Sequence, residues 1–151
     1  MFTINPVNIL SEKMIKAYWL DSTVNPLLVP VVRIAITDYE PADHLIVSHP
    51  YIKETLYLEF CDVTDVEVNT LAAFSRFRDA LLTEKQADQI IAFLVHYSRY
   101  PLVVNCYAGV SRSAAVGKIA CRIKGIDDSW IKPPHFNPNP YIDHLLNARY
   151  S

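Results

Sequence analysis

Apolar positions along the chain follow two spacings, one typical of buried strands and one typical of amphipathic helices. Short runs rich in β-branched residues predict strands at Val7–Leu10, Val29–Ile36, Thr55–Phe60 and Leu102–Asn105. Helical spacing predicts a helix after Ser11, one around Leu71–Leu81, one after Thr83, one over Arg112–Lys124 and a last one over Tyr141–Ala148. Thr83 and Gln86 form a capping-box pair, and Gly125 is a suitable helix C-cap.

Because strands alternate with helices, the pattern predicts an α/β fold with a central, mostly parallel sheet flanked by helices. In such sheets ligands bind beyond the carboxyl ends of the strands. Asp38, Asp62 and Cys106 each come at or just after the end of a predicted strand. We therefore expect their loops to share one edge of the sheet.

Composition narrows the class of protein. A chain of 151 residues, 51% of them hydrophobic, suits one domain over 1–151 with a substantial core. The net charge of −2 does not favour nucleic acid as a partner. Three cysteines fit neither a disulfide framework nor a zinc site, so we expect reduced thiols in a cytoplasmic protein, with no metal, no cofactor and no membrane span.

The richest chemistry lies in the segment from Asn105 to Ser113, which follows a strand and opens a helix. A helix N-terminus offers backbone N–H groups and a positive dipole end to a phosphate, and Gly109 permits a tight turn. Arg112 adds a planar fork for two phosphate oxygens, and the same positive field favours the thiolate of Cys106. Ser113 could donate a hydrogen bond to the Cys106 sulfur.

The pattern Cys106-x5-Arg112-Ser113, with Ala108, Gly109 and Ser111 inside it, resembles the signature loop of cysteine-dependent protein tyrosine phosphatases. It is most similar to the small dual-specificity branch, and the short chain also resembles bacterial and phage members. The resemblance implies a phosphatase acting on phosphorylated proteins or peptides through a phosphocysteine intermediate. In that mechanism Cys106 is the nucleophile, and the backbone of Tyr107, Ala108, Gly109, Val110, Ser111 and Arg112 binds the phosphate.

The resemblance also implies a general acid on a loop before the cysteine. Asp62 occupies that place, and Asp65 is the alternative. One departure is Asn105, where the family usually has a histidine that helps to hold the loop and to tune the thiolate. A second is the lack of a glutamine after the loop to orient water, a role that Asn137 or Asn139 could take.

Other interpretations remain open. The same chemistry could act on RNA 5′ ends, nucleotides or inositol phosphates, although only Lys118, Arg122 and Lys124 add positive charge close to the loop in sequence. Asn105 leaves open a weakly active or inactive phosphate-binding module. A redox disulfide between Cys61 and Cys106 is a further possibility, against the simpler interpretation of Cys61 as a half-buried packing residue.

Overall fold

The computed structural model describes residues 4–17, 29–38, 47, 49–62 and 81–151. Within these ranges the chain forms, in order, β1 (Val7–Ser11), α1 (Glu12–Ile15), β2 (Val31–Thr37), β3 (Ile52–Glu59), α2 (Glu84–His96), β4 (Leu102–Cys106), α3 (Arg112–Lys124) and α4 (Pro140–Tyr150). The helix predicted around Leu71–Leu81 and the alternative acid Asp65 lie outside the described residues, apart from Leu81 itself.

The four strands form one sheet in the order β1-β4-β2-β3, and every neighbouring pair is parallel. This confirms the predicted α/β class with a parallel sheet. Strand β4 lies between β1 and β2, with Cys106 opposite Ser11 and Asn105 opposite Ala35. The loop after Cys106 therefore leaves the sheet between the segments that follow β1 and β2.

An apolar cluster packs on each face of the sheet. One face carries the larger core, in which Ile34, Val104 and Cys106 pack with residues of α2, α3 and α4. The other face carries a smaller cluster that includes Ile15 and Val103. Since successive strand residues point to opposite faces, Asn105 belongs to the face of Val103, and the Cys106 thiol belongs to the larger core.

Helix α3 matches the predicted range and packs closely on β1 because its inner face is small. A Cβ atom added to Gly117 would lie 2.6 Å from Cδ1 of Ile9, which shows how near the helix approaches the strand. The capping box is confirmed by bonds from Gln86 N to Thr83 Oγ1 (3.1 Å) and from Thr83 N to Gln86 Oε1 (3.0 Å). Gly125 ends α3 with φ +69°, as its position predicted.

All four strands and helix α4 differ in their bounds from the prediction, although β1 and β4 do so only by ending one residue later. Strand β2 begins at Val31, after Pro30, whose nitrogen cannot donate to a ladder. Strand β3 begins at Ile52, which lies opposite Val31; the register then shifts past the exposed Lys53, and Glu54 pairs with Val32 before the apolar pattern starts. Helix α4 begins one residue earlier than predicted and ends at Tyr150, with Asn139 as its N-cap and proline in its first turn. Among the described residues, no helix combines the length and the hydrophobicity of a membrane span.

Candidate active site

Cys106 ends β4 and is buried at the base of the loop that joins β4 to α3. Its Sγ lies 3.1 Å from Oγ of Ser113, and the backbone N–H of Gly109 donates to it at 3.3 Å. Both groups can stabilise negative charge on sulfur by hydrogen bonding. The geometry therefore places a thiol where its ionised form has two donors.

Backbone N–H groups of neighbouring segments donate to three carbonyl groups of the loop between Cys106 and Arg112. The carbonyl oxygen of Tyr107 accepts from Glu12 N (3.2 Å), that of Val110 from Asn137 N (2.9 Å), and that of Ser111 from Asn139 N (3.2 Å). In a trans peptide the next N–H points away from the carbonyl. The N–H groups of Ala108, Ser111 and Arg112 are thus turned away from these outer contacts, as an anion-binding loop requires.

Gly109 allows this loop to lie directly on β1. Its φ is +70°, and a Cβ atom there would meet the backbone of β1 at 2.5 Å from Ser11 N and 2.6 Å from Leu10 C. Only glycine fits such a conformation and such a close approach. The tight turn predicted from the sequence is therefore present at Gly109.

Arg112 is the first residue of α3, and its side chain is only 7% exposed. One terminal nitrogen donates to Oδ1 of Asp38 (2.8 Å) and to the carbonyl of Phe60 (2.9 Å). Its Nε is buried and has no hydrogen-bond partner among the described residues. The guanidinium is thus anchored at one nitrogen, and a buried donor remains for an anion.

Asp62 follows β3 and reaches the rim of the loop. Its Oδ1 accepts from Ser111 Oγ (2.7 Å) and from Asn139 Nδ2 (2.8 Å). Both bonds are to Oδ1, and Oδ2 accepts none from the described residues. The hydroxyl of Ser111 serves this contact and makes no side-chain cap of α3, although Ser111 is its N-cap residue.

Asn105 is buried on the opposite face of the sheet from the thiol, with Oδ1 accepting from Nε of Arg33 at 2.9 Å. Burial lowers the pKa of the Arg33 guanidinium, while the charges of Tyr57 and Glu12 act to raise it. By its sequence alone, Asn105 is an uncharged residue where the resembled family usually has histidine. The structure adds that a cationic side chain is bound to it.

The sequence did not predict three side-chain contacts of the site. The first is the contact of Asp38 with Arg112, for which the only indication in the sequence was the expected place of Asp38 at this edge of the sheet. Arg33 had a clearer one, as a single charge inside the buried β-branched run of β2. The third is the amide of Asn139, which contacts Asp62 while its Oδ1 caps α4; a role of Asn137 or Asn139 in orienting water stays a prediction.

Known proteins give similarity at the level of structure. No family model and no curated protein matches the chain. Among solved structures, a human tyrosine phosphatase-like serine/threonine/tyrosine-interacting protein is similar at 16% identity and a TM-score of 0.44, over 80% of this chain and 76% of its own. Human DUSP28 is similar at 15% identity and a TM-score of 0.48, over 95% of this chain and 90% of its own. No comparison supports the resemblance to bacterial and phage members.

Proposed function

We propose that the protein is a cysteine-dependent phosphatase that hydrolyses phosphomonoesters of proteins or peptides through a phosphocysteine intermediate. The observation that carries this proposal is the position of Cys106 Sγ, beside Gly109 N and Ser113 Oγ at the base of the loop. Nucleophilic catalysis by cysteine needs a thiolate with donors nearby. Arg112 supplies the adjacent anion-binding charge.

In the first step the Cys106 thiolate attacks phosphorus and forms the S–P bond. The bond from phosphorus to the ester oxygen breaks, and Asp62 gives that oxygen a proton from Oδ2. The loop amides and Arg112 bind the equatorial phosphoryl oxygens. The products of this step are a free hydroxyl compound and phosphocysteine.

In the second step water attacks phosphorus and Asp62 accepts a proton from it. The S–P bond breaks, inorganic phosphate leaves, and the electron pair returns to sulfur. The hydroxyl of Ser113, 3.1 Å from Sγ, donates to the departing thiolate. Water and the phosphoester are the only reactants.

RNA 5′ ends, nucleotides and inositol phosphates would need additional positive charge at the loop, and the cations near the loop in sequence contact other groups. Their positions therefore support a peptide substrate. Lys118 lies 3.6 Å from Asp143, and Arg122 donates to Asn147. Lys124 donates to two backbone carbonyls in the turn before β4. All three cations are therefore engaged at sites other than the loop.

The first experiment compares hydrolysis of p-nitrophenyl phosphate by the wild type and by Cys106→Ser, with Cys61→Ser as the matched loss of one thiol. We expect Cys106→Ser to lose activity by a factor of about 10⁴ or more, and Cys61→Ser to retain it. Mass spectrometry of an acid-quenched reaction should find added phosphate on the peptide that carries Cys106. Equal rates for the wild type and Cys106→Ser would refute the proposal.

The general acid is tested by Asp62→Asn and Asp65→Asn. We expect Asp62→Asn to lower kcat by about 10²–10³, and more for phenyl phosphate than for p-nitrophenyl phosphate, because phenol is the poorer leaving group. If Asp65→Asn is the damaging change and Asp62→Asn is silent, the assignment to Asp62 is wrong.

The second candidate, an inactive phosphate-binding module, is motivated by Asn105. Calorimetry with inorganic phosphate would then show binding that Arg112→Ala abolishes, with no turnover of any phosphoester by the wild type.

Parallel assays with phosphotyrosine peptide, phosphoserine peptide, mononucleotide and inositol phosphate define the substrate class. Three free cysteines are in keeping with the reducing, cytoplasmic location that we propose.

A further inference from the structure

Arg33 is a buried cation in the middle of the sheet. It belongs to the central part of β2, is 1% exposed, and lies with the apolar side chains of Val31, Ile52 and Val103. Burying a guanidinium among apolar side chains is costly unless it is hydrogen-bonded. The Arg33 guanidinium therefore needs a hydrogen bond that stabilises it at this buried position.

That contact leads to the active cysteine. Nε of Arg33 donates to Oδ1 of Asn105 at 2.9 Å, and Asn105 is itself only 4% exposed. Asn105 directly precedes Cys106, and it lies opposite Ala35 in the sheet, two residues beyond Arg33 on β2. The Arg33 side chain thus extends along the sheet toward the end of β4 that bears the thiol.

We propose that Arg33 is a positioning residue for Cys106: it holds the Asn105 side chain, fixes the end of β4, and places a permanent positive charge behind the thiolate. The inference rests on the proposed function of Cys106 as a nucleophile. Arg33, Asn105 and Cys106 are all buried, and buried charges interact more strongly than charges in water. Opposite charge favours the ionised form of a thiol.

Other charged groups near this pair stay constant in the test. Glu12 of α1 and Tyr57 of β3 interact electrostatically with Arg33, and the centre of its guanidinium lies 6.0 Å from the Tyr57 ring centroid. On the loop side, Arg112 is bound to Asp38 and Ser111 is bound to Asp62. None of these groups is itself substituted, so a change in thiol reactivity reports the loss of Arg33, and Arg33→Lys separates its charge from its other contacts.

The test measures alkylation of Cys106 by iodoacetamide as a function of pH, with no phosphoester present. Trypsin cleaves after Arg99 and Arg112, so mass spectrometry follows the Cys106 peptide apart from those of Cys61 and Cys121. The variants are Arg33→Met, which removes the charge, and Arg33→Lys, which retains it. Lys53→Met is the matched control, because it removes one positive charge at an exposed position of β3.

We expect Arg33→Met to slow alkylation near neutral pH by about 3- to 10-fold, to move the pH profile to higher pH, and to leave the high-pH plateau unchanged. Arg33→Lys should restore most of the wild-type profile, and Lys53→Met should leave it unchanged. A purely structural role would not shift the profile while keeping the plateau. A wild-type profile in folded Arg33→Met overturns the proposal.

Asn105→Asp keeps the test decisive if Arg33→Met fails to fold. The new carboxylate pairs with Arg33 and cancels its charge, so Asn105→Asp should shift the profile in the same direction as Arg33→Met. A wild-type profile in this variant also overturns the proposal. An inactive wild type whose Cys106 profile still depends on Arg33 would refute the proposed function alone, and an active enzyme whose profile ignores Arg33 would refute this inference alone.

Discussion

Replacing Gly109 by alanine tests whether the loop must lie in contact with β1. Gly109 and Gly125 have nearly the same left-handed backbone, with φ of +70° and +69°. A Cβ atom at Gly125 would meet nothing within 4 Å, whereas one at Gly109 would lie 2.5 Å from Ser11 N. Gly125→Ala is therefore a matched control that carries the same backbone strain without the clash.

The strain common to both variants costs about 1–2 kcal/mol of unfolding free energy. Relief of the clash at Gly109 requires the loop to move by about 1 Å, because carbon contacts are ordinarily about 3.5–4.0 Å. That movement weakens the Glu12 N to Tyr107 O bond and the Gly109 N to Cys106 Sγ contact. Each such loss costs about 0.5–1.5 kcal/mol, so Gly109→Ala should lose about 2–5 kcal/mol in total.

Urea denaturation of both variants measures the stability difference, and hydrolysis of p-nitrophenyl phosphate measures the loop. A displacement of about 1 Å at the reacting centre costs on the order of 10²-fold in rate. We expect that loss in kcat/KM for Gly109→Ala and wild-type kcat/KM for Gly125→Ala. Equal losses in stability and equal activities for the two variants would refute the argument that β1 fixes the loop.

Three further outcomes follow from contacts in the structure. Asn139→Ser retains a side-chain cap for α4 and removes the amide that contacts Asp62. We expect kcat to fall about 10-fold, and more for poor leaving groups, while urea denaturation shows a loss of less than about 1 kcal/mol in unfolding free energy. An unchanged kcat for phenyl phosphate would contradict this prediction. Arg112→Lys can keep an ammonium on the contacts to Asp38 and the Phe60 carbonyl, but it loses the planar guanidinium that we propose binds the anion. We expect kcat/KM to fall about 10²-fold or more at near-wild-type stability. Activity within a factor of about three of wild type would argue against this role of the guanidinium. Burial raises the pKa of Cys121 to about 11. The unfolded chain therefore loses this proton first, and stability is full below about pH 8.5 and falls by up to about 2–3 kcal/mol as the pH rises toward 11. Cys121→Ala should show a smaller fall over the same range in pH-dependent urea denaturation, and an identical fall would contradict the pKa.

Local signals in the sequence predicted most of the described elements. The range Arg112–Lys124 was correct because small residues, a following glycine and an incoming strand all agree there. Strand β3 was predicted three residues late, because its backbone pairs with β2 where exposed polar side chains hide the apolar pattern. Propensity and periodicity follow side-chain burial, and ladder pairing depends on the neighbouring strand.

The candidate site divides in the same way. By itself the sequence determined the Cys106 loop, since the cysteine, the glycine, the arginine and the serine are close neighbours along the chain and their chemistry is local. It also brought Asp62 to the correct edge of the sheet. Whether Asp62 and the loop residues perform the assigned steps stays a prediction for the experiments above.

Only the tertiary structure decided which distant residues support the loop. Arg33 binds Asn105 across 72 positions of sequence, Asp38 meets Arg112 across 74, and Asn139 meets Asp62 across 77. These pairs depend on strand order, which places β4 between β1 and β2, and on the return of the chain before α4 to the loop. No local pattern encodes such contacts, because they result from the packing of whole elements and not from the preferences of neighbouring residues.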